Sequence, residues 1–143
     1  MLFRNCAGGV VFYGEKVFIL KNEKREWILP KGRIRNGSLA TETAIERVKF
    51  EANLTPRIVS TAGETSYEFF SMTRKKPVCN EILWYIMEVN DPLFIINESE
   101  GFMDGGFFYI EDALKLITYS QDRALVNLSY KKYKDLKTEQ ITA

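Results

Sequence analysis

The first third of the chain alternates short apolar runs with turn residues, a pattern typical of a sheet. Residues 6–13 and 16–21 are rich in β-branched and aromatic side chains, and Gly14-Glu15 between them predicts a hairpin. Residues 27–29 form a third apolar run, which Pro30 ends because proline cannot donate to a strand ladder. We therefore expect the fold to begin with strands.

The periodicity becomes helical after residues 31–37, a loop that is rich in glycine and basic side chains. Ser38 follows this loop, where an N-cap would accept a hydrogen bond from the first helical turn. Leu39, Ile45, Val48 and Ala52 then recur at mostly helical spacing before Pro56 stops the pattern. We expect a helix from Ser38 to about Ala52.

The second half predicts more sheet and two further helices. Residues 57–70 and 78–89 read as antiparallel strands joined by a turn at 74–77, so the sheet has at least five strands. A loop at 101–106 precedes a strand at 107–110, a short helix at 111–117 and a last helix that Ser120 caps. Residues 138–143 are expected to fray. With no repeat or linker, residues 1–143 are predicted to form a single domain.

Composition narrows the possible chemistry. A chain of 143 residues with 45% hydrophobic side chains can bury a core without metal or disulfide support. A net charge of +1 gives no field that would attract nucleic acid or a membrane surface. The absence of histidine excludes Ser-His-Asp and Cys-His nucleophile systems. Cys6 and Cys79 form no CxxC motif and read as buried apolar residues. Without a signal peptide or an apolar stretch of about 20 residues, we expect a cytoplasmic protein.

The basic loop has the features of a phosphate site. Lys31, Arg33 and Arg35 supply positive charge, Gly32 permits close backbone approach, and the following helix N-terminus points amides at an anion. An ordinary basic surface loop has the same composition, so the residues alone leave both interpretations open.

Residues 32–54, GRIRNGSLATETAIERVKFEANL, resemble the box of the Nudix hydrolases, and the preceding AGGVVFY and WILPKG resemble its lead-in. The family pattern is Gly, five residues, Glu, seven residues, Arg-Glu, an apolar residue, any residue, Glu-Glu, any residue, Gly, apolar. The matching positions are Gly32, Val48, Glu51 and Leu54. The departures are Ser38 for the first Glu, Glu46 for Arg, Arg47 for Glu, Phe50 for the first Glu of the pair and Asn53 for Gly.

This resemblance implies an α/β fold, a Nudix-like α/β/α sandwich with a mixed β-sheet. It also implies a metal-dependent pyrophosphohydrolase, with altered or weakened catalysis, that acts on a nucleoside diphosphate linked to another moiety. In that interpretation Glu51 is the catalytic residue and the ligand of Mg²⁺ or Mn²⁺. The substrate-binding candidates are Lys31, Gly32, Arg33, Arg35 and Arg47.

The departures also support a second interpretation. At about 100° per residue, positions 47, 50 and 51 share one helix face, which here carries Arg47, Phe50 and Glu51, while Glu46 points away. Glu51 either retains a metal with acids from outside the box or forms an i,i+4 ion pair with Arg47. In the second case the chain is a non-catalytic nucleotide- or phosphate-binding module. The outside acids are Glu64, Glu68, Glu81, Glu98, Glu100 and Asp104.

Two further possibilities concern the ligand and the partners. Aromatic side chains on the middle strands could stack on a base, although alternation places about half of them in the core. These are Tyr67, Phe69, Phe70, Trp84 and Tyr85. The expected partner is a small phosphorylated molecule, a nucleotide by the resemblance, and an edge strand or aromatic face could also serve a homodimer.

Overall fold

Seven strands pair into one mixed sheet in the computed structural model, which describes residues 1–142. The strands are β1 Leu2–Tyr13, β2 Lys16–Lys21, β3 Trp27–Ile28, β4 Lys31–Arg33, β5 Arg57–Ser71, β6 Lys76–Glu88 and β7 Asp104–Tyr109. The main order is β3-β2-β1-β6-β5, with β4 paired to β1 and β7 to β2. β1 and β6 run parallel and the other pairs antiparallel. The mixed sheet expected from the sequence is confirmed.

Within the described part of the chain, three α-helices cover the two faces of the sheet. They are α1 Ala40–Ala52, α2 Ile110–Leu116 and α3 Ser120–Thr142. On one face, Ala44, Val48 and Ala52 of α1 join a buried apolar cluster with strand residues. On the other face, α2 and α3 contribute to a second cluster, for example through Ala113 and Val126. The sheet therefore lies between α1 and the pair α2 and α3, which is the predicted α/β/α sandwich.

A glycine in β1 lets the chain pass where three segments meet. A Cβ atom at Gly8 would lie 2.5 Å from the carbonyl oxygen of Pro30 and 2.5 Å from the Trp84 ring. Both distances are far inside van der Waals contact, so any larger residue would push β4 away from β1. This close approach fixes the start of the segment that leads into α1.

Several boundaries differ from those expected. Lys31, Gly32 and Arg33 form β4 rather than a loop, because they pair with Gly8, Ala7 and Cys6 across a long sequence separation. Strand β7 begins at Asp104, within the predicted loop. Helix α3 continues to Thr142, and Ala143, the last residue of the tail that we expect to fray, lies outside the described residues.

The prediction that Ser38 caps α1 is wrong. The N-cap is Leu39, and no side chain caps the helix. The Ser38 amide instead donates to the Arg35 carbonyl at 3.1 Å in a turn that contains Gly37 at φ +86°. This turn uses Ser38 before the helix begins. Within residues 1–142, no helix combines the length and the apolar character needed to cross a membrane.

Candidate functional site

Glu51 is buried on the inner face of α1. The residue is 2% exposed, and its backbone carbonyl accepts a hydrogen bond from the Asn97 amide at 3.0 Å. Burial raises the pKa of its carboxyl from the ordinary 4.5 to about 7, and the Arg47 guanidinium opposes that rise. Glu51 lines neither of the two cavities described below.

Arg47 covers Glu51 with a two-point ion pair. Its Nε and Nη2 atoms lie 3.0 Å and 2.8 Å from the same carboxylate oxygen, Oε2 of Glu51. The Arg47 side chain is 31% exposed, and its guanidinium lies 5.0 Å from the centre of the Phe50 ring. The structure therefore contains the Arg47–Glu51 ion pair, which is one of the two alternatives that the sequence leaves open for Glu51. The Glu51 carboxylate is buried, and the Arg47 guanidinium is partly open to solvent.

Gly32 makes room for this arginine. A Cβ atom at position 32 would lie 2.3 Å from Cδ and 2.5 Å from Nε of Arg47. Only glycine allows β4 to pass so close to the arginine stem. The agreement with the family pattern at Gly32 thus has a local steric reason in this chain.

Glu100 brings a second carboxylate to the same guanidinium. Its Oε1 lies 3.7 Å from Nη2 of Arg47. The segment before Glu100 is tied to the end of α1, since the Asn97 side chain donates to the Phe50 carbonyl at 3.0 Å and the Ile95 amide to the Ala52 carbonyl at 3.0 Å. Of the six outside acids that the sequence raised, Glu100 is the one that reaches the Arg47–Glu51 pair.

A cleft of about 550 Å³ lies beside this pair, between the β5–β6 hairpin, the β2–β4 region and the start of α3. Lys31 and Glu100 line it, which connects the cleft to the ion pair. Its aromatic lining consists of Tyr67, Phe69, Trp84 and Tyr119. An adjacent cavity of about 750 Å³ is lined in part by Glu64 and Glu81.

The structure separates the sequence-predicted binding residues into two groups. Lys31 is half-buried in the cleft with its Nζ 5.9 Å from the Tyr67 ring centre, and Gly32 contacts Arg47. Lys31 is the one of these residues that lines the cleft, and Arg33 and Arg35 are exposed without a contact to the Arg47–Glu51 pair. The structure thus gathers Lys31, Gly32, Arg47 and Glu51 around one region and leaves Arg33 and Arg35 at its surface.

Sequence reasoning missed the contribution of α3 to the cleft. Ser120, Gln121 and Asp122 of α3 line it, together with Tyr119, which directly precedes the helix. The Gln121 side-chain oxygen accepts a hydrogen bond from the Ser66 amide at 3.3 Å, which joins α3 to β5. No local motif predicts this contact, since its partners are far apart in the chain. Of the aromatic stacking candidates, Phe70 and Tyr85 do not line the cleft.

The residues present do not fit the divalent metal that the family resemblance implies. Among residues 1–142, no group of three or more His, Cys, Asp or Glu side chains is placed to hold a metal ion. A guanidinium binds the one box carboxylate, and its positive charge would repel a divalent cation at contact distance. Displacing Arg47 would leave a buried carboxylate without its partner, which is strongly unfavourable.

Several solved structures share this architecture. An Ap4A hydrolase of C. elegans aligns with TM-score 0.72 at 19% identity, over 92% of this chain and 98% of that one. The dihydroneopterin triphosphate pyrophosphohydrolase of E. coli gives TM-score 0.70 at 14% identity, over 88% and 95%. An ADP-ribose pyrophosphatase of Streptococcus suis gives 0.69 at 14%, over 91% of both chains.

At such identities these alignments establish the fold. The family follows from the sequence, in which the NUDIX domain model matches residues 2–128. That match includes both the altered box and the strands and helices that surround the cleft. The chain therefore belongs to the Nudix family.

Proposed function

We propose that this Nudix domain binds a phosphorylated, nucleotide-like small molecule without a metal ion and does not hydrolyse it. The observation that carries the proposal is the Arg47–Glu51 ion pair, with both donor atoms within 3.0 Å of one carboxylate oxygen. In the family resemblance, position 47 belongs to a carboxylate that helps to hold the metal. Here it presents a fixed positive charge instead.

A guanidinium at this place suits an anion better than a cation. Arg47 is partly exposed, and its guanidinium has further N–H donors, beyond the Nε and Nη2 contacts to Glu51, that can donate to a phosphate oxygen. Lys31 adds a second charge from the cleft, and the exposed Arg33 and Arg35 raise the local positive potential. The proposed position of the phosphates is therefore between Lys31 and the open side of Arg47.

The cleft supplies room for the rest of the ligand. About 550 Å³ is within the range of ordinary small-molecule sites. The names of the aligned proteins refer to Ap4A, dihydroneopterin triphosphate and ADP-ribose. All three are phosphorylated compounds with a heterocyclic ring, which supports a ligand of that general class for this chain.

The first test measures binding and turnover separately. Nucleoside di- and triphosphates, ADP-ribose and dinucleoside polyphosphates are titrated by calorimetry and thermal shift in EDTA, and phosphate or pyrophosphate release is assayed with Mg²⁺ or Mn²⁺. We expect ligand-dependent stabilisation in EDTA and release no faster than without protein. Arg47→Gln should weaken binding about tenfold or more, as loss of a charged hydrogen bond does.

Lys49→Gln is the matched control, because Lys49 is an exposed cation on the same helix without a contact to the site. It should bind like the wild type. Metal-dependent turnover that Glu51→Gln abolishes would overturn the non-catalytic proposal. Failure of every phosphorylated compound to bind would overturn the binding function itself.

Metal-dependent phosphoanhydride hydrolysis, the activity that the resemblance implies, is not favoured for the wild-type chain, because the Arg47 guanidinium stands where a cation would have to bind. Glu51 and Glu100 both approach Arg47, so removing this arginine would bring two carboxylates to one space. In the double variant Arg47→Glu and Phe50→Glu, we expect Mn²⁺ to raise Tm where the wild type shows no change. No gain in Mn²⁺ affinity would mean that restoring the two glutamates is not enough, because the carboxylates are no longer arranged to hold a metal ion.

A further inference from the structure

The β5–β6 hairpin is longer than the helix that covers it on the α1 side. Strand β5 has 15 residues and β6 has 13, which corresponds to about 43–50 Å of extended chain, whereas the 13 residues of α1 measure about 20 Å. Strand pairing places Phe3, Cys79 and Glu68 in one row, on the side of the sheet where Ala7 packs with α1. Beyond α1, this side of β1, β6 and β5 is open to solvent. We call it the hairpin face, and its exposed side chains are Phe3, Phe70, Leu83, Glu64, Glu68 and Glu81.

The middle of the hairpin face is apolar. Phe3 of β1 is 59% exposed, Phe70 of β5 is 57% exposed, and Leu83 of β6 is 37% exposed. Large apolar side chains that face water together on neighbouring strands are typical of an interaction surface. Three strands give a width of about 14 Å, and the rows from Glu64 to the hairpin turn give a length of about 40 Å, so the area is on the order of 500 Å². Two such faces together reach the lower limit for a specific protein interface, about 1,000 Å².

Charges of opposite sign occupy the two ends of the hairpin. The acids of the hairpin face lie in its body, and the exposed cations at its tip are Arg74, Lys75 and Lys76. In the part of the chain that the structure describes, none of these six side chains forms an ion pair. Lys75 is seven residues from Glu68, which is roughly 20 Å along an extended strand. The tip therefore cannot neutralise the body within one chain.

We propose that two copies of this chain associate through their hairpin faces, packed face to face and antiparallel about a two-fold axis near Phe70. A two-fold axis brings residue i to residue j and j to i, so each basic tip meets the acidic body of the other copy. Two sheets that pack in this way lie about 10 Å apart, which lets Phe3 and Phe70 of both copies fill the middle.

The charge pattern favours a second copy over an unrelated partner. A uniformly basic partner would be repelled by the tip, and a uniformly acidic one by the body. A second copy turned by 180° satisfies both ends with the same surface. The ligand cleft stays open in this dimer, because its lining residues Ile82 and Trp84 face the opposite side of the sheet, with α2 and α3. The dimer is therefore independent of the proposed ligand-binding function.

The test reverses the charge of each end separately and then combines the products. Sedimentation velocity of the full chain from about 1 to 200 μM should show a monomer–dimer equilibrium with Kd on the order of 10 μM. One variant carries Arg74→Glu with Lys75→Glu, and the other carries Glu64→Lys with Glu81→Lys. Each variant alone opposes like charges at both contacts, so we expect its self-association to weaken about tenfold or more. An equimolar mixture restores opposite charges at both contacts and should form the mixed dimer.

Lys115→Glu with Lys131→Glu is the matched control, because it makes the same change of net charge at exposed positions of α2 and α3. This control should dimerise like the wild type, and the Tm of every variant shows whether the fold is kept. Phe70→Ser should also weaken the dimer, whereas Leu128→Ser, which changes an exposed apolar residue of α3, should not.

Three results would overturn the inference: a wild type that stays monomeric throughout the concentration range, a dimer that neither charge reversal weakens, or a mixture of the two variants that associates no better than each one alone. Each of them leaves the proposed function standing. Binding of nucleoside triphosphates in EDTA by the two charge variants tests that function separately.

Discussion

At the scale of single residues, Glu51 couples the site to pH. Its carboxyl has a pKa of about 7 in the folded protein against an ordinary 4.5, because the side chain is buried. Between these values the unfolded chain releases its proton while the folded protein keeps it. The free energy of unfolding therefore falls as pH rises through this window, by up to about 3 kcal/mol from this group.

Replacing Glu51 by Gln removes that titration. We expect the difference in unfolding free energy between the wild type and Glu51→Gln to shift in favour of the variant as pH rises from 4.5 to 7. Urea denaturation at a series of pH values measures it. Glu46→Gln changes an exposed acid of the same helix and should leave the pH profile as it is. A pH-independent difference for Glu51→Gln would show that Arg47 holds the carboxylate ionised throughout.

Gly32 provides a second prediction at this scale. In Gly32→Ala the added methyl would meet Arg47 atoms at 2.3–2.5 Å, so the arginine stem or β4 must move. We expect a loss of stability of about 1–3 kcal/mol, the usual cost of overpacking, and weaker phosphate binding. Gly37→Ala is the comparison, since a Cβ there meets nothing within 4 Å although its φ of +86° adds strain. Destabilisation by Gly32→Ala without loss of phosphate binding would argue against a ligand role for Arg47.

At the residue scale, the structure agrees with those predictions that depend only on the spacing of residues along a helix. Helical geometry places Arg47 and Glu51 one turn apart, so the ion pair could be predicted. The burial of Glu51, the steric role of Gly32 and the approach of Glu100 depend on segments distant in the chain. Local periodicity contains no information about those contacts, which is why one outside acid could not be chosen from six.

At the scale of elements, α1 ends in a left-handed residue. Asn53 has φ 54° and ψ 33°, and its amide donates to the Lys49 carbonyl at 2.8 Å. The family pattern has glycine at this position. Asparagine tolerates the left-handed conformation better than most residues, so this departure from the box preserves the end of the helix.

We expect Asn53→Ala to lower stability by about 1 kcal/mol and Asn53→Gly to be neutral or slightly stabilising. Thermal unfolding of the two variants under the same conditions measures the difference. Because Asn97 and Ile95 attach to the last turn of α1, the alanine variant should also loosen the segment that leads to Glu100. Equal stability of the two variants would mean that strain at position 53 is relieved elsewhere.

The elements that could be predicted from sequence are those with a strong period. The first hairpin, the long β5–β6 pair and α1 lie close to their expected positions, because alternation and helical spacing are local properties. Strand β4 cannot be predicted in this way, because its three residues carry no period of their own and become a strand only by pairing with β1. The residue type of Ser38 suits a cap, but the turn that contains Gly37 places Ser38 before the helix begins.

At the scale of the whole molecule, Glu88 joins α3 to the sheet. This carboxylate at the end of β6 is buried, accepts a hydrogen bond from the Tyr133 hydroxyl at 2.7 Å, and forms ion pairs with Arg57 and with Lys137 at 2.9 Å. The Tyr133 ring also stacks on Phe12 with centres 4.8 Å apart. Because the other end of α3, Ser120 to Asp122, lines the cleft, this attachment helps to set the wall of the cleft.

Tyr133→Phe tests the polar part of this attachment. The ring contact with Phe12 remains, and only the hydroxyl that donates to Glu88 is lost. We expect a loss of about 1–3 kcal/mol, as for a buried hydrogen bond to a charged group. Tyr109→Phe, which changes an exposed tyrosine, should cost little. Chemical denaturation with the same denaturant series compares them, and equal costs would argue against an energetic role for the Glu88 contact.

Glu88 should cause part of the loss of stability at acid pH. Its effect is opposite to that of Glu51, whose contribution to the free energy of unfolding falls as pH rises. Burial by itself would raise the pKa of the Glu88 carboxyl, but the hydrogen bonds from Lys137 and Tyr133 and the nearby cations lower it below its usual 4.5. A depressed folded pKa gives stability that is present above the unfolded value and is lost as pH falls through the folded one. We therefore expect acidification below about pH 4.5 to destabilise the wild type more steeply than Glu88→Gln.

Denaturation curves from pH 3 to 8 separate the two groups, because Glu88→Gln should flatten only the acid side and Glu51→Gln only the side between 4.5 and 7. If either substitution flattens both sides, the two carboxylates are coupled through the sheet and the molecule titrates as one unit.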